Sequence, residues 1–294
     1  MTRTMKLVTI FLLFVMLLFT ISFLTYYRTY SKPVNRYINQ RNENPTLENN
    51  GYILRKKVFS EEDVNGLLNN CLSGDYATIK RQLLSSNKLK NLISTTLPEG
   101  YVIQDYIWII QRSMVHTCHR DNNGDFFNEG QRNPSYTMLI YLEDMNKCLS
   151  VLPVSHKHKN SYFFNFTTPL TDILCERGDV ILFNANLIHV GAFNDRDDNI
   201  RIQMKVSHRD DIKVLSYYQN FNKVLNQKNN VPELIRKAQR SLSCTFPGIS
   251  NLTQSENIKS SRGSDNGAQV GWFQKIFSYL FYGKSDFYDL PNAF

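Results

Sequence analysis

Two histidines, an aspartate and an arginine have the types and spacing needed for chemistry at one metal ion. His119 and Asp121 are two residues apart, so alternation along a strand would place both side chains on one face. His189 follows the apolar run at 180–183, near the end of a predicted buried strand. Two imidazoles and a carboxylate leave positions open on octahedral Fe(II), where a co-substrate and O2 can bind together. The sequence therefore predicts that these three residues are catalytic and bind one iron.

The arginine is Arg201, in a segment at 200–206 that alternates between polar and apolar residues like a strand. An inward arginine beside a metal costs free energy unless an anion meets it, and its planar fork matches a carboxylate. A dicarboxylic co-substrate would supply that anion. Gln203 and Lys205 share the strand face of Arg201, and we expect Gln203 to contribute to the same binding site.

In this order, the residues resemble the Fe(II)/2-oxoglutarate-dependent dioxygenases, which carry an HxD motif, a distal histidine and a following arginine. The segments at 136–144 (YTMLIYLED) and 148–157 (CLSVLPVSHK) are similar to the phytanoyl-CoA dioxygenase branch and its GCLxVxPGSHK segment. The resemblance covers roughly residues 51 to 225. Two departures are Cys118, where many relatives carry a bulkier residue, and Val154, which replaces the glycine of the PGSH turn.

The resemblance implies an α+β fold that is mainly β, a double-stranded β-helix of the jelly-roll or cupin-like type with flanking helices. It also implies Fe(II) as cofactor, 2-oxoglutarate and O2 as co-substrates, and ascorbate as a supporting reductant. Arg201 would pair with the far carboxylate of 2-oxoglutarate. The implied reaction hydroxylates an organic substrate, with a lipid or small molecule favoured, and releases succinate and CO2.

Three alternative functions stay open. A peptidyl residue could be the substrate, as in prolyl hydroxylases. The barrel could be catalytically silent and act as a binding module displayed on a membrane. A cupin-like metalloprotein with a different metal would have no need for Arg201.

The other four histidines are not expected to bind the metal. His116 is three residues from His119 and would face the other side of that strand, which predicts a structural or surface role. His156 and His158 fall in a predicted loop, and His208 follows the last predicted strand.

The N-terminal region contains an uncharged apolar run from Leu7 to Tyr27, long enough to cross a hydrocarbon core of about 30 Å. This pattern predicts a transmembrane anchor over residues 1–27 and a single-pass membrane protein. Tyr26 and Tyr27 would lie at the interface. A cleaved signal peptide is the alternative, but no small-residue cleavage site follows the run.

The side of the membrane that holds the catalytic domain stays open between the cytosol and the lumen of the endoplasmic reticulum. Positive charges flank the apolar run on both sides. Sequons begin at Asn165 and Asn251, and such tripeptides also arise by chance. The five cysteines have no metal-ligand spacing, and their odd number argues against a complete disulfide framework.

Composition divides the rest of the chain. The predicted units are a polar stalk (28–50), the dioxygenase-like domain (51–243), a flexible linker (244–269) and an aromatic C-terminal segment (270–294). Apolar spacing predicts helices at 61–72, 76–92, 212–225 and 231–242, and a strand at 101–115.

The C-terminal segment would form a short amphipathic helix. Its apolar face would comprise Trp272, Phe273, Ile276, Phe277, Leu280 and Phe281. This face could lie in a membrane interface over residues 270–282, the favoured interpretation, or dock on the catalytic domain. The net charge of +8 agrees with an anionic membrane surface. No basic and aromatic pattern indicates a nucleic-acid partner.

Overall fold

Two β-sheets form the centre of the computed structural model. The structure describes residues 3–31, 45–113, 115–158, 165, 168, 170–191, 198–215, 220–251, 271–287, 290 and 292–294. The strands are β1 (Tyr52–Arg55), β2 (Tyr101–Ser113), β3 (Tyr136–Tyr141), β4 (Met145–Val151), β5 (Thr171–Cys175), β6 (Val180–Asn184), β7 (His189–Gly191), β8 (Arg201–His208) and β9 (Phe221–Gln227). The helices are α1 (Arg3–Ser31), α2 (Glu61–Ser73), α3 (Tyr76–Ser85), α4 (Asn87–Thr96), α5 (Glu233–Thr245) and α6 (Trp272–Tyr282), with a further helical turn at 248–251.

The larger sheet has the strand order β1-β6-β3-β8-β2-β9, and the smaller sheet has the order β5-β4-β7. The pairs are antiparallel except for β2 with β9, which is parallel. These sheets and the helices beside them confirm the predicted α+β class, and they are consistent with a β-rich jelly roll.

Alternation along the strands of the larger sheet divides its apolar side chains between two cores. On β3, Met138 and Ile140 pack in a core that also contains residues of α2, α3 and α4. Leu139 and Tyr141 point the other way and pack with Leu149 of the smaller sheet. The inner faces of the two sheets therefore meet in the second core, and the helices cover the outer face of the larger sheet.

The helices beside the larger sheet differ from prediction at one point. The predicted helix at 61–72 is α2, whose N-cap Ser60 forms a capping box with Asp63. The predicted helix at 76–92 is instead two helices, because Ser86 has a ψ of 114° that no α-helix contains. The Ser86 hydroxyl accepts a hydrogen bond from the Leu89 N–H and so begins α4.

The predicted helix at 212–225 is wrong. The chain forms a 3-10 helix at Arg209–Val214 and then the strand β9, which pairs in parallel with β2. Phe221 and Leu225 are buried there, so sheet pairing and burial outweigh the helical spacing. The predictions of a strand at 101–115 and a helix at 231–242 correspond to β2 and α5.

The predicted transmembrane anchor is contradicted, and with it the predicted single-pass membrane localisation. Among the helices that the structure describes, none combines the length and apolar character that a membrane crossing needs. The apolar run instead belongs to α1, which lies against α5 of the same chain. Most of the predicted stalk at 28–50 lies outside the described residues, which resume at 45.

The chain stays folded past the predicted start of the linker at 244. Cys244 forms a disulfide with Cys118, and the Asn251 side chain accepts a hydrogen bond from the Arg120 N–H at 3.2 Å. The rest of that predicted linker, from 252, lies outside the described residues. The side chains of Asn251 and Asn165, the acceptor residues of the two sequons, are both buried.

The C-terminal helix α6 docks on the domain. Phe277, Phe281 and Tyr282 are buried in one cluster with Ile110 of β2 and Leu225 of β9. The remaining apolar residues predicted on its face are exposed, namely Trp272, Phe273, Ile276 and Leu280. The helix therefore docks on the domain through the side that carries Phe277, as the docking alternative predicted for its apolar face.

Candidate active site

Backbone hydrogen bonds bring the three predicted metal ligands together. His119 and His189 form an isolated antiparallel bridge, in which each N–H donates to the other residue's carbonyl at 3.0 Å. The Asp121 N–H donates to the carbonyl of Ala185, in the turn that precedes His189. Residues 119–121 do not form the strand that the HxD spacing predicted, and these backbone hydrogen bonds instead position the pair beside the start of β7.

Both imidazoles are oriented for metal binding. The Nδ1 atoms of His119 and His189 lie 2.9 Å from the carbonyls of Thr117 and Leu187, so each Nδ1 carries the proton and donates. Nε2 is then a free acceptor on each ring, and these atoms lie 3.9 and 3.6 Å from Asp121 Oδ1. One ligand atom from each of the three residues lies within 4.8 Å of the other two. Carbonyl partners of this kind commonly fix the tautomer of metal-binding histidines.

The second carboxylate oxygen of Asp121 is held by other side chains. Lys205 Nζ donates to Asp121 Oδ2 at 2.6 Å and to Thr137 Oγ1 at 2.9 Å, and the Thr137 hydroxyl donates to the same Oδ2. All three residues are buried. With Oδ2 occupied in this way, Oδ1 is the oxygen that faces the imidazoles.

Charge and burial set the protonation states of the ligands. Burial alone would raise the pKa of Asp121, but Lys205 and the two imidazoles hold this pKa well below its usual range. Burial lowers the pKa of His189 to about 4, against the opposing effect of Asp121. At neutral pH the site therefore presents a carboxylate and a neutral imidazole, the forms that bind a metal.

A cavity of about 170 Å³ lies at these residues and contains the other predicted site residues. His119, Asp121, His189, Arg201, Gln203 and Lys205 all line it. Arg201 and Gln203 are on β8, opposite Tyr141 and Leu139 of β3. Burial lowers the pKa of Arg201, which donates a hydrogen bond to the Asn199 carbonyl at 3.2 Å. No carboxylate of the described residues forms an ion pair with this inward guanidinium, which is therefore suited to an anionic ligand.

The remaining histidines are not part of this site. His116 is buried between Gln239 and Asn229, at 2.9 and 3.0 Å, which is a structural role. His156 bonds to the Glu48 carbonyl, and the exposed His158 and the partly buried His208 do not line the cavity. The positions of these four histidines agree with the prediction that they do not bind the metal.

Sequence reasoning missed two features of the site. The sequence placed Lys205 on the strand face of Arg201 but did not predict that it pairs with Asp121. Tyr141 received no role, yet it is fully buried and lines the cavity beside Arg201. The available signal was the alternation of β3, which places Thr137, Leu139 and Tyr141 on the inner face.

The residues present fit Fe(II) and 2-oxoglutarate. The donors are two imidazole nitrogens and one carboxylate oxygen, a set that suits non-haem iron and leaves room for further ligands. Arg201 supplies a cation in the same cavity for a second carboxylate.

Comparison with known proteins finds a partial match to the family that the sequence resembles. Residues 79–202 match the model of the family described as phytanoyl-CoA dioxygenase (PhyH), over less than half of the chain. No curated protein matches the chain significantly. The family match confirms the predicted resemblance and the class of enzyme, a 2-oxoglutarate-dependent dioxygenase. Together with the triad it confirms the prediction of iron and 2-oxoglutarate.

Solved structures similar to the chain include those of SnoN, HygX and EvdO2. The epimerase SnoN in complex with Fe3+, alpha ketoglutarate and nogalamycin RO is 12% identical, with a TM-score of 0.48, and the match covers 58% of this chain and 84% of SnoN. HygX from Streptomyces hygroscopicus, with nickel and 2-oxoglutarate bound, is 14% identical (TM-score 0.43; 55% and 84% covered). EvdO2 from Micromonospora carbonacea var. aurantiaca, complexed with 2-oxoglutarate, is 12% identical (TM-score 0.41; 54% and 86% covered). These similarities are too low to assign a substrate or a reaction.

Proposed function

Since residues 79–202 match the phytanoyl-CoA dioxygenase family, we propose that the chain hydroxylates a small organic substrate and converts 2-oxoglutarate to succinate and CO2. We also propose that the two sheets form a double-stranded β-helix. The observation that carries the proposal is the buried group of His119, Asp121 and His189, whose ligand atoms converge in a cavity that Arg201 also lines.

Each residue of the site has a role in this proposal. His119, Asp121 and His189 hold Fe(II), with Lys205 keeping Asp121 Oδ1 turned towards the imidazoles. Arg201 binds the far carboxylate of 2-oxoglutarate, and Gln203, two residues further along β8, assists it. When bound, the iron supplies the oxidative chemistry with O2.

The size and lining of the cavity support a small substrate. At about 170 Å³ it is smaller than the roughly 300–1,000 Å³ typical of sites for drug-sized ligands. Tyr106, Trp108 and Phe221 contribute aromatic surface, with the Tyr106 and Phe221 rings stacked at 4.7 Å. Such a lining favours an organic molecule with an apolar or flat part.

The test is succinate release by the full chain with Fe(II), ascorbate and 2-oxoglutarate. His119→Ala and Asp121→Ala should reduce the signal to background, and Arg201→Ala should raise the concentration of 2-oxoglutarate needed. His158→Ala removes an exposed histidine outside the cavity and is the matched control. Activity in the first two variants equal to wild type would overturn the proposal.

If the wild-type protein shows no turnover, its binding of 2-oxoglutarate and of Mn(II), in place of Fe(II), should be measured. Binding of metal and 2-oxoglutarate without turnover would indicate that the true substrate is missing from the assay. Absence of both would refute the enzyme and favour the catalytically silent barrel.

A further inference from the structure

We propose that Trp108 and Gln274 recognise the substrate, and that this substrate is a flat, uncharged molecule that carries an amide group. This inference rests on the proposed function, because it concerns the same cavity. Both residues line that cavity, Trp108 from β2 and Gln274 from α6. Gln274 lies outside residues 79–202, so the family match does not supply this part of the site.

Trp108 and Gln274 border the same apolar cluster. Trp108 packs against the cluster that contains Phe277 and Phe281 of α6. Gln274 is three residues before Phe277 and four before Ser278, so these side chains share one face of the helix. That face is the buried one, and Gln274 itself is 2% exposed. The docking of α6 therefore brings Gln274 to the part of the cavity wall that contains Trp108.

Each of the two side chains has one polar atom without a hydrogen-bond partner among the described residues. The indole Nε1–H of Trp108 is buried and donates to none of them. Gln274 Nε2 donates to the Ser278 hydroxyl at 3.4 Å, which leaves Oε1 as the buried amide atom that accepts no hydrogen bond. Buried polar atoms usually have a partner, and leaving one unpaired costs free energy. A ligand that meets both atoms removes that cost.

The chemistry of the two unpaired atoms selects an amide. The indole nitrogen of Trp108 only donates, so it needs an acceptor, whereas Gln274 Oε1 only accepts and needs a donor. Neither group carries a charge, so a neutral ligand matches them. An amide provides a carbonyl oxygen and an N–H at a short separation, and its carbon, oxygen and nitrogen lie in one plane.

Aromatic rings next to Trp108 match a flat ligand. The Trp108 and Phe221 rings are stacked with centroids 6.5 Å apart, and Tyr106 stacks on Phe221 at 4.7 Å. All three line the cavity and offer apolar surface to a planar group. Lys223, a cation on the same wall, donates to the Leu290 carbonyl and lies over the Phe221 ring. Its charge is therefore already engaged by the protein.

The test uses three probes that differ in one group on a benzene ring. Benzamide offers a carbonyl and an N–H, acetophenone has a methyl group in place of the amide nitrogen, and toluene has neither polar group. Binding of each probe to the full chain is measured by calorimetry at millimolar concentration. The measurement needs neither metal nor 2-oxoglutarate.

The two variants should change probe binding in different patterns. Gln274→Leu should weaken benzamide binding by roughly 3- to 10-fold, the value of one hydrogen bond between uncharged groups. It should leave acetophenone and toluene binding unchanged. Trp108→Phe should weaken benzamide and acetophenone binding by a similar factor and change toluene binding little. Unchanged toluene binding in both variants would also show that the cavity is still folded.

Each variant has a matched control. Gln227 also has an unpaired, buried Oε1, but it does not line the cavity, so Gln227→Leu should bind the three probes like wild type. Trp272 is 66% exposed and outside the cavity lining, so Trp272→Phe should do the same.

The outcomes separate this inference from the proposed function. Equal losses for all three probes in Gln274→Leu, or no loss for benzamide, would overturn the recognition role of Gln274. Failure of the wild-type protein to bind benzamide would overturn the inference as a whole. Neither result would affect succinate release by the wild-type protein, which tests the proposed function separately.

Discussion

At the scale of single residues, the pair formed by Lys205 and Asp121 gives a test of the metal site that does not depend on activity. Lys205→Met leaves the buried Asp121 carboxylate without its cation, which costs about 3–5 kcal/mol when one partner of a buried pair is removed. A bound divalent ion restores positive charge beside that carboxylate. We expect a large loss of unfolding free energy in EDTA and a much smaller loss in Mn(II), measured by urea denaturation.

Lys223→Met is the control for that experiment. Lys223 is also buried in the cavity, but its described hydrogen bond is to the Leu290 carbonyl. The loss of unfolding free energy in Lys223→Met should be the same with and without Mn(II). If the loss in Lys205→Met were equally independent of metal, Asp121 would not be a ligand.

A second residue-scale prediction concerns Val154, the departure from the family's PGSH turn. Its φ is 68°, in the left-handed region that a β-branched residue rarely adopts. Val154→Gly should stabilise the fold by about 1 kcal/mol. The left-handed conformation costs a non-glycine residue roughly 1–2 kcal/mol, and part of the gain is lost because glycine gives the unfolded chain more conformational entropy. Thermal denaturation should show a higher midpoint. A lower midpoint would mean that side-chain packing outweighs the strain, although Val154 is 36% exposed.

At this scale the sequence was informative about the metal ligands and less so about their neighbours. The HxD spacing and the distal histidine can each be recognised from a short stretch of sequence. The structure brings those residues together. The surroundings of Lys205 and Tyr141 depend on which residue lies across the strand, since β8 pairs with β3 at a sequence separation of sixty residues or more. Strand register of this kind cannot be obtained from alternation alone.

At the scale of elements, the disulfide between Cys118 and Cys244 attaches α5 to the residue that precedes His119. It closes a loop with a sequence separation of 126 residues, for which the chain-entropy estimate is about 4–5 kcal/mol. A reductant should therefore lower the urea midpoint of the wild-type protein. The double variant with Cys118→Ala and Cys244→Ala should already be less stable and should not respond to the reductant. A response of equal size in the double variant would contradict this role.

Two helix predictions failed for physical reasons that the apolar spacing does not contain. Residues 212–225 have helix-like apolar spacing, but Phe221 and Leu225 gain more from burial against β2 and α6 than from helical hydrogen bonds. The break between α3 and α4 depends on Ser86, whose hydroxyl competes with the helix backbone. Both outcomes depend on tertiary context or capping, which periodicity does not report.

At the scale of the whole molecule, the matched family region ends at 202, yet the cavity continues beyond it. Phe221, Lys223, Leu225, Gln274 and Leu290 also line the cavity. The C-terminal part of the chain therefore completes the wall around the proposed active site. The sequence predicted a helix here but not which side docks, because apolar residues occupy both its buried and its exposed sides.

Because α6 docks on the domain, we expect substitutions of two neighbouring residues to have different effects on the free energy of unfolding. Phe281 is 8% exposed and stacks on Phe277 with ring centroids 4.4 Å apart, whereas Leu280 is 58% exposed. Phe281→Ala should cost about 3 kcal/mol of unfolding free energy, at the low end for truncating a buried phenylalanine. Leu280→Ala should change it by less than about 0.5 kcal/mol. Urea denaturation of both variants is the measurement, and equal, small effects would show that α6 does not stabilise the domain. In that case the wall formed by Gln274 would also be absent in solution, and the cavity would be open on that side.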